Sequence, residues 1–545
     1  GPDMPAGLVP RVAGAAWCAL VLWLLVSNIL VPSYGVFRYD IWAALAAGAA
    51  VLVLTAAVPW LLRGLDALLK FRWLRVLGSV LGWSAVFALL ARCADAVRLV
   101  PDWDAAPVYY SASGLAEEDT LEAVNRSYFQ INPNNLLLML LLSRYLYAAE
   151  SLGSQDLRQS TAYLNAALLF CGMVLTYAAG RLLGGRMAAR LTLVPSLVLI
   201  VLSPWLPVFY SDTASLPFTA GVFCLLLLAG KCRLPFRLLL WATAGAVSAV
   251  GYGIKPTVLI ILVAASLTAL FSLRRQAWRR DLAAGLLSVA AAGGAFAGSY
   301  AATEEWERES GVLAEGVPKN EYSLPVTHFL KVGVQQYPGP HGDYYGAYNE
   351  EDRSTTLAVE DPRERFDAAL RVYTDRVAAR RALDYAGFLH AKLRWITGDG
   401  SFFSWGEGRL GAEGFIADDP LSRTVQDFYG PGRPGFPLLQ NVWQGTWFLV
   451  LALCGAALFL RGPPLNSLGA VTARITLLGL FVFLMFSEGR ARFLYLYLPL
   501  FLVLASLSLS RLLPAGRRGA GRRAAASKAR HRDAPPPPTP AEVVE

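Results

Sequence analysis

The stretch IWAALAAGAAVLVLTAAVPWLL, residues 41–62, decides the fold class of this chain. It contains no charged residue, and a helix needs about 20 apolar residues to cross about 30 Å of hydrocarbon. Residues 17–31 and 447–460 run uncharged in the same way. One such stretch could be a buried core helix, but their repetition along the chain predicts a polytopic membrane protein.

The composition agrees with this interpretation. Hydrophobic residues make up 55% of the 545 residues and charged residues only 16%, against roughly 25% charged in soluble domains. Much of the net charge of +9 lies in short loops and the last 35 residues, which is the positive-inside pattern and not a nucleic-acid surface. The six cysteines lie in or beside apolar stretches without metal-ligand spacing, as small hydrophobic residues do.

Basic residues orient the predicted helices. Arg11 precedes the first span and the basic segment 63–75 follows the second, so both flanks are expected in the cytoplasm. The third span, about 76–99, then carries the chain to the outer face. We expect 134–152 to return inward, which leaves the next stretch, 156–183, with an even number of crossings although it is long enough for one. Either it forms two short tilted helices or one of these assignments is wrong.

The C-terminal half gives a clearer order. Spans near 443–461, 468–487 and 493–511 place the long polar segment before them outside. That segment includes a helical pattern over 361–396, and an unstructured loop of such length is uncommon. We therefore predict a folded domain there.

The predicted fold class is an all-α polytopic membrane protein of about 12–14 transmembrane helices with an extracytoplasmic α or α+β domain. Its expected parts are a transmembrane module at 5–300 with an outer loop at 100–133, the outer domain at 301–440, C-terminal helices at 441–512, and a disordered basic, proline-rich cytoplasmic tail at 513–545.

Polar residues beside spans are costly and mark function by default. Four polar groups fall at the predicted outer helix ends: Pro101–Asp104, Asn132–Asn135, Tyr210–Asp212 together with Lys255–Thr257, and Glu488–Arg492. A carboxylate there can act as general base on an acceptor hydroxyl. Arginine and lysine at headgroup depth can bind a lipid phosphate and stabilise it as it leaves.

The order of these motifs resembles the GT-C glycosyltransferases, which implies a GT-C-like fold and a catalytic role for the outer loop at 100–133. In that family an acidic residue follows a span in the first large outer loop, a Pro-Asn segment opens the next span, and a Ser-Asp pair follows later. Glu488–Phe493 looks like the family's Glu-Ala-Arg-x-Arg-Tyr element, and Thr327–Gly333, Gly346–Asp352 and Thr397–Gly400 resemble segments of bacterial members. The resemblance covers most of residues 76–512.

The resemblance implies roles for particular residues. Asp104 is expected to be the catalytic base, with Asp102 as its rival; both could also be solvated loop acids. Donor phosphate binding is assigned to Lys255, Arg490, Arg492, His328 and Lys331. Acceptor binding or positioning is assigned to Asp212, Glu488, Asn134, Asn349, Asp352 and Asp399. Asp212 would equally serve as a helix N-cap, and His328 as a structural histidine.

The implied activity is inverting transfer of a hexose or pentose from a polyprenyl-phosphate donor to a cell-envelope glycan, glycolipid or teichoic acid. No cofactor is required by this chemistry, and a divalent metal held by Asp104 and Asp212 stays open. The expected partners are the donor, the acceptor and membrane lipids, without nucleic acid. The expected location is the plasma membrane of a bacterium, with the site facing outward. A lipid-linked glycan ligase, a phosphotransferase and a flippase or transporter are the alternatives.

Overall fold

The computed structural model of the protein describes residues 5–274, 276–404 and 414–513. Most of these residues are helical, and eight of the described helices are long and apolar enough to cross a membrane. This confirms the predicted all-α polytopic class. Nearly all of the predicted tail, from residue 514 onward, lies outside the described residues.

The first three helices match the first three predicted spans. They are α1 (Leu8–Leu30), α2 (Ile41–Leu68) and α3 (Arg72–Ala96). Asp40 caps α2, because its side chain accepts a hydrogen bond from the Ala43 N–H. In α3 only four residues near its C-terminal end are buried, so the rest of this apolar helix faces outward, as a lipid-facing helix does.

The expected span 134–152 is wrong. The chain after α3 forms α4 (Ala105–Glu118), a 3₁₀ turn at Leu121–Ala123, α5 (Arg126–Ile131), a second 3₁₀ turn at Pro133–Asn135, and α6 (Leu136–Ser151). Arg98, just after α3, forms an ion pair with Asp156, and Gln159 Nε2 lies 3.0 Å from Asp95 Oδ1. The next helix therefore begins beside the end of α3, and α6, only 16 residues long, does not pass between opposite ends of the bundle.

If 134–152 does not cross the membrane, the stretch 156–183 needs only one crossing, which is what its length allows. Helix α7 (Leu157–Leu191) is broken at Gly185, whose φ of 77° and ψ of −167° are not helical. The chain then continues through α8 (Leu193–Ser196) and a π-helical turn at Leu197–Val201. After the break the chain runs back along α7, since Asn165, near the start of that helix, donates to the carbonyls of Trp205 and Leu206.

The middle of the chain is a row of helices with one interruption. It contains α9 (Ser211–Ala229), α10 (Leu234–Ile254), a 3₁₀ turn at Pro256–Val258, α11 (Leu259–Leu270) and α12 (Trp278–Glu309). Lys255 ends α10 in an extended conformation, because the residue before a proline is disfavoured in a helix. The apolar stretch is therefore interrupted between α10 and α11.

The polar segment predicted as a domain is folded from short elements. These are α13 (Val326–Gly333), an antiparallel hairpin of β1 (Gln336–Gly339) and β2 (Gly342–Tyr345), α14 (Glu350–Leu357), α15 (Pro362–Ala378), α16 (Ala382–Thr397) and α17 (Pro420–Tyr429). The helical pattern over 361–396 is therefore two helices and not one.

The last helices form the centre of the bundle. They are α18 (Phe436–Ala456), α19 (Leu468–Phe486), α20 (Arg492–Tyr495) and α21 (Leu498–Leu512). Every residue from Leu498 to Ser510 is buried, and a helix that is apolar all round belongs in the interior. Besides the eight long helices, the described chain has two shorter apolar helices, Pro256–Leu270 and Leu498–Leu512.

Candidate active site

The structure brings three predicted residues into one buried ionic cluster. Asp212 lies in the first turn of α9, Lys255 at the interruption after α10, and Arg492 at the start of α20. Arg492 Nη2 lies 3.0 Å from Asp212 Oδ2, and Lys255 Nζ pairs with Asp212 Oδ1. All three side chains are at most 6% exposed. In this cluster two cations face one carboxylate.

Aromatic rings surround the cations of this cluster. The Arg492 guanidinium carbon lies 5.2 Å from the ring centroid of Tyr210, 5.6 Å from that of Trp205 and 5.4 Å from that of Phe493. Lys255 Nζ lies 4.8 Å from the Phe493 centroid. Rings at these distances stabilise cations where water is scarce.

A chain of hydrogen bonds connects Asp104 with this cluster. Tyr128 Oη donates to Asp104 Oδ1 at 2.8 Å, and Asn135 Nδ2 lies 2.6 Å from Tyr128 Oη. Asn135 Nδ2 also donates to Tyr210 Oη at 2.9 Å, and the Tyr210 ring contacts Arg492. We call Asp104, Tyr128, Asn135 and Tyr210 the relay.

Two members of the relay were missed by the sequence analysis. The analysis named Asn134, but Asn135 is the asparagine in the relay and is 2% exposed; Asn134 only approaches Asn135 Oδ1, at 3.5 Å. Tyr128 was not considered at all. Its position in the sequence indicated a functional role only weakly: Tyr128 is a polar aromatic residue seven positions before Asn135, on the short helix α5 that leads into Asn-Pro-Asn-Asn.

The two candidate bases have different surroundings. Asp104 is half-buried, whereas Asp102 is exposed and its Oδ1 accepts the backbone N–H of Trp103 at 2.9 Å. Trp103 between them has a φ of 46°, an uncommon conformation for a residue with a side chain. Asp102 instead lines a separate small cavity of about 50 Å³ with Tyr109 and Arg158.

Glu488 and Arg490 form an ion pair beside the cluster, with Arg490 Nη2 at 3.1 Å from Glu488 Oε1 and both side chains 11% exposed. Lys392 of α16 fixes the loop that carries them. Its ammonium donates to the backbone carbonyls of Gly333, Met485 and Ser487. Burial lowers the pKa of Lys392 to about 7.

Gly346 completes this junction between the inserted domain and the loop. Its φ is 68°, and a Cβ there would lie 2.6 Å from the Gly333 carbonyl oxygen and 2.7 Å from Lys392 Nζ. Its own carbonyl accepts the Gly489 N–H at 2.9 Å. Only glycine fits both the conformation and the space.

His328 and Lys331 are not part of the ionic cluster; they lie in a second network inside the inserted domain. His328 Nδ1 lies 2.9 Å from Thr356 Oγ1, and Lys331 Nζ donates to Thr355 and Thr356 and to the Asp352 carbonyl. Both are nearly inaccessible, with 1% and 4% exposure. Burial lowers the pKa of His328 to about 4 and also lowers that of Lys331.

Asp352 and Asn349 belong to this second network. The Arg376 guanidinium holds Asp352 with two hydrogen bonds, at 2.9 and 2.7 Å. Asn349 Nδ2 donates to Asp352 Oδ2 at 3.0 Å and the Asn349 side chain accepts the Asp352 N–H. Burial alone would raise the pKa of Asp352, but these donors lower it below its usual range.

Asp399 organises a turn. Its Oδ1 accepts from the Ser401 N–H and hydroxyl, and its Oδ2 accepts from the Phe403 N–H at 2.9 Å. Phe402 and Phe403 both have positive φ, of 52° and 54°. Burial raises the pKa of Asp399. Its hydrogen bonds are local, so the contacts described here give it a role in the loop's shape.

The metal alternative required Asp104 and Asp212 to converge. Asp212 is instead paired with two cations, and two adjacent positive charges oppose a divalent ion at that carboxylate. Among the described residues, no group of three or more histidine, cysteine, aspartate or glutamate side chains is arranged to hold a metal.

Comparison with known proteins gives a family and distant structural neighbours. No curated protein matches the chain. Oligosaccharyltransferase AglB from Archaeoglobus fulgidus, solved with an inhibitory peptide and a dolichol-phosphate, superposes with a TM-score of 0.38 and 12% identity over 78% of this chain and 50% of AglB. ArnT from Cupriavidus metallidurans, bound to undecaprenyl phosphate, superposes with a TM-score of 0.32 and 13% identity over 80% of this chain and 78% of ArnT.

The chain spans about half the length of AglB. A family profile described as "Conserved hypothetical integral membrane protein" matches residues 74–513. The match includes every residue of the ionic cluster and the relay, and the eight apolar helices agree with a multi-pass membrane location. The chain therefore belongs to this family of conserved integral membrane proteins.

Proposed function

We propose that the protein is an inverting membrane glycosyltransferase that moves a sugar from a polyprenyl-phosphate donor to a hydroxyl of a cell-envelope acceptor. One observation carries the proposal: a half-buried carboxylate, Asp104, is connected through Tyr128, Asn135 and Tyr210 to the buried cluster that contains Lys255 and Arg492. Transfer from a phosphate leaving group needs a base and nearby cations that can stabilise an anion.

In the proposed reaction Asp104 removes the proton of the acceptor hydroxyl. The acceptor oxygen attacks the anomeric carbon, and the bond from that carbon to the donor phosphate oxygen breaks. The bonding electrons stay on the phosphate, which leaves as polyprenyl phosphate with its negative charge, and the anomeric configuration inverts. The proton remains on Asp104 until it is released to solvent.

The cations of the ionic cluster stabilise the phosphate in this proposal. Arg492 and Lys255 both bind Asp212, and their positive charges would also attract the phosphate of a donor. Arg490 lies close by in the same loop, with its guanidinium carbon 5.5 Å from the Phe403 ring centroid. The rings around Arg492 provide an apolar wall that suits the first isoprene units of a lipid. A phosphate that is already a good leaving group needs no strong general acid.

The proposal also includes an orientation. The polar helix ends, the ionic cluster and the inserted domain of residues 301–440 would face the extracytoplasmic side of the plasma membrane. The basic residues of the segment 63–75, where α2 ends and α3 begins, support this orientation, because such basic connections stay in the cytoplasm. The envelope acceptor would then reach Asp104 from outside.

The test is sugar transfer by purified protein in lipid nanodiscs. Radiolabelled mannose, glucose and arabinose on undecaprenyl phosphate serve as donors, and delipidated cell-envelope extract and envelope glycolipids serve as acceptors. Asp104→Asn should lower turnover by about 10²- to 10⁴-fold, because it removes the general base. Glu118→Gln, an exposed carboxylate at the end of α4, is the matched control.

Asp102→Asn separates the two candidate bases in the same assay. Turnover that survives in Asp104→Asn but collapses in Asp102→Asn would move the base to Asp102. Turnover that survives both would point to a ligase or phosphotransferase without a carboxylate base. Absence of transfer from every donor would favour a flippase.

A further inference from the structure

Tyr128 has the most constrained hydroxyl of the relay. It lies on α5, where Asn125 caps the helix by accepting the Tyr128 N–H at 3.2 Å. The Tyr128 ring packs edge-to-face on Phe129, which is fully buried. Its hydroxyl is therefore held in place from the backbone side as well as by its two polar neighbours, Asp104 and Asn135.

The direction of the hydrogen bonds in the relay follows from the donors available. Asn135 Nδ2 can only donate, and it approaches Tyr128 Oη at 2.6 Å. The Tyr128 proton is then directed to Asp104 Oδ1, at 2.8 Å. At the other end, Tyr210 Oη lies 3.2 Å from Asn135 Oδ1. Asn135 thus uses both ends of its amide to fix two tyrosines.

An O–H donor that ends on a carboxylate stabilises the charged form of that carboxylate. Tyr128 can keep this role over the physiological pH range, because burial, together with the nearby Tyr210 and Asp104, raises the pKa of its phenol. A neutral phenol beside Asp104 is a permanent donor and not a second base.

We infer that Tyr128, locked by Asn135, is a positioning residue that holds Asp104 in its ionised, proton-accepting state. The inference rests on the proposed function and adds to it the residues that set the base. Tyr128 itself does not exchange a proton with the acceptor; it acts through Asp104.

Other titratable groups surround the relay and enter any pH measurement. Tyr348, in the loop before α14, interacts electrostatically with Asp104, and Asp102 is two residues away in the same loop. At the far end, Arg492 lies over the Tyr210 ring and is paired with Asp212, which also binds Lys255. None of these groups is altered by removing the Tyr128 hydroxyl.

The experiment compares Tyr128→Phe with Tyr147→Phe, using the radiolabelled undecaprenyl-phosphate sugar that the wild type transfers best. Tyr147 is a 56% exposed tyrosine on α6. Tyr128→Phe should lower kcat by about 10- to 100-fold, as expected for a lost hydrogen bond to a charged group. The donor KM should stay within about twofold, because the ionic cluster is intact. The acidic limb of the kcat profile should move to higher pH by about one unit.

Two further variants guard against a merely structural effect. In an Asp104→Asn background, Tyr128→Phe should not lower kcat any further, since the hydroxyl acts only through the carboxylate. Asn135→Asp keeps the shape but offers Tyr128 a competing acceptor, so it should lower kcat in the same direction even if Tyr128→Phe proves too unstable to assay.

The outcomes are separable. If Asp104→Asn is inactive while Tyr128→Phe and Asn135→Asp behave like Tyr147→Phe, the positioning role is wrong and the proposed function stands. An unshifted acidic limb in an impaired Tyr128→Phe would also overturn it, as would further loss in the Asp104→Asn background. If Asp104→Asn keeps full activity, the proposed function fails and this inference fails with it.

Discussion

The protein contains two buried networks in which one aspartate holds two cations. In the transmembrane part Asp212 pairs with Lys255 and Arg492, and in the inserted domain Asp352 pairs with Lys331 and Arg376. Both aspartates are at most 2% exposed. The residue types are nearly identical, and the sequence analysis assigned donor phosphate binding to members of both.

The difference lies in what else the cations contact. Around Asp352 the cations also donate to threonine hydroxyls and to backbone carbonyls, including that of Lys331, which accepts from Arg376 at 2.9 Å. Around Asp212 the described neighbours of the cations are mostly aromatic rings. We therefore expect the network around Asp352 to stabilise the fold, whereas Lys255 and Arg492 are the cations that we propose contact the donor phosphate.

The largest expected change in stability comes from replacing either of the two buried aspartates, Asp352 or Asp212. Asp352→Asn should lower the free energy of unfolding by about 3–5 kcal/mol, because two buried cations lose their counter-charge. Thermal unfolding of the detergent-solubilised protein measures this. Activity per folded molecule should be kept, because this network only stabilises the fold.

Asp212→Asn is the paired measurement. It should lower thermal stability by a similar amount, but activity should be lost even in the folded fraction, since the cations proposed to stabilise the phosphate would be displaced. Equal activity per folded molecule in the two variants would remove the distinction between the networks.

The arginines allow a milder version of the comparison. Arg492→Gln should weaken binding of undecaprenyl phosphate by about 10- to 100-fold, measured by quenching of intrinsic tryptophan fluorescence. Arg376→Gln should leave that affinity unchanged and lower the unfolding temperature instead. An affinity loss in Arg376→Gln as large as in Arg492→Gln would mean that the domain network also contacts the lipid.

The smallest effect is a pH dependence of the domain network. The pKa of His328 is about 4 in the folded protein, against about 6.5 when unfolded, so the unfolded state binds the proton first as the pH falls. Stability is fully present above about pH 6.5 and decreases toward pH 4, by about 1 kcal/mol between pH 7 and 5.5. His328→Gln should flatten that part of the stability curve, and an unchanged slope would contradict the assignment.

Much of the fold was predictable because span length and charge bias are local properties of the chain. The spans near 41–62 and 76–99 and the hinge at Lys255-Pro256 follow from apolar length and from the restriction that proline imposes. The span at 134–152 was wrong for a physical reason. Its residues are apolar enough for a membrane, but Leu136–Leu140 are buried against protein instead, and hydropathy does not tell these two environments apart.

The sequence by itself determined that this is a membrane protein and which polar residues sit at helix ends, since uncharged stretches and costly polar interruptions are visible in one dimension. Only the tertiary structure decided which of them meet. In the folded protein Asp212 lies between Lys255 and Arg492, whereas His328 and Lys331 lie in the separate network of the inserted domain. Asn135, and not Asn134, makes the hydrogen bonds of the relay. It also revealed Tyr128, because a hydroxyl can be assigned to a carboxylate only once folding brings residues 24 positions apart within a hydrogen bond.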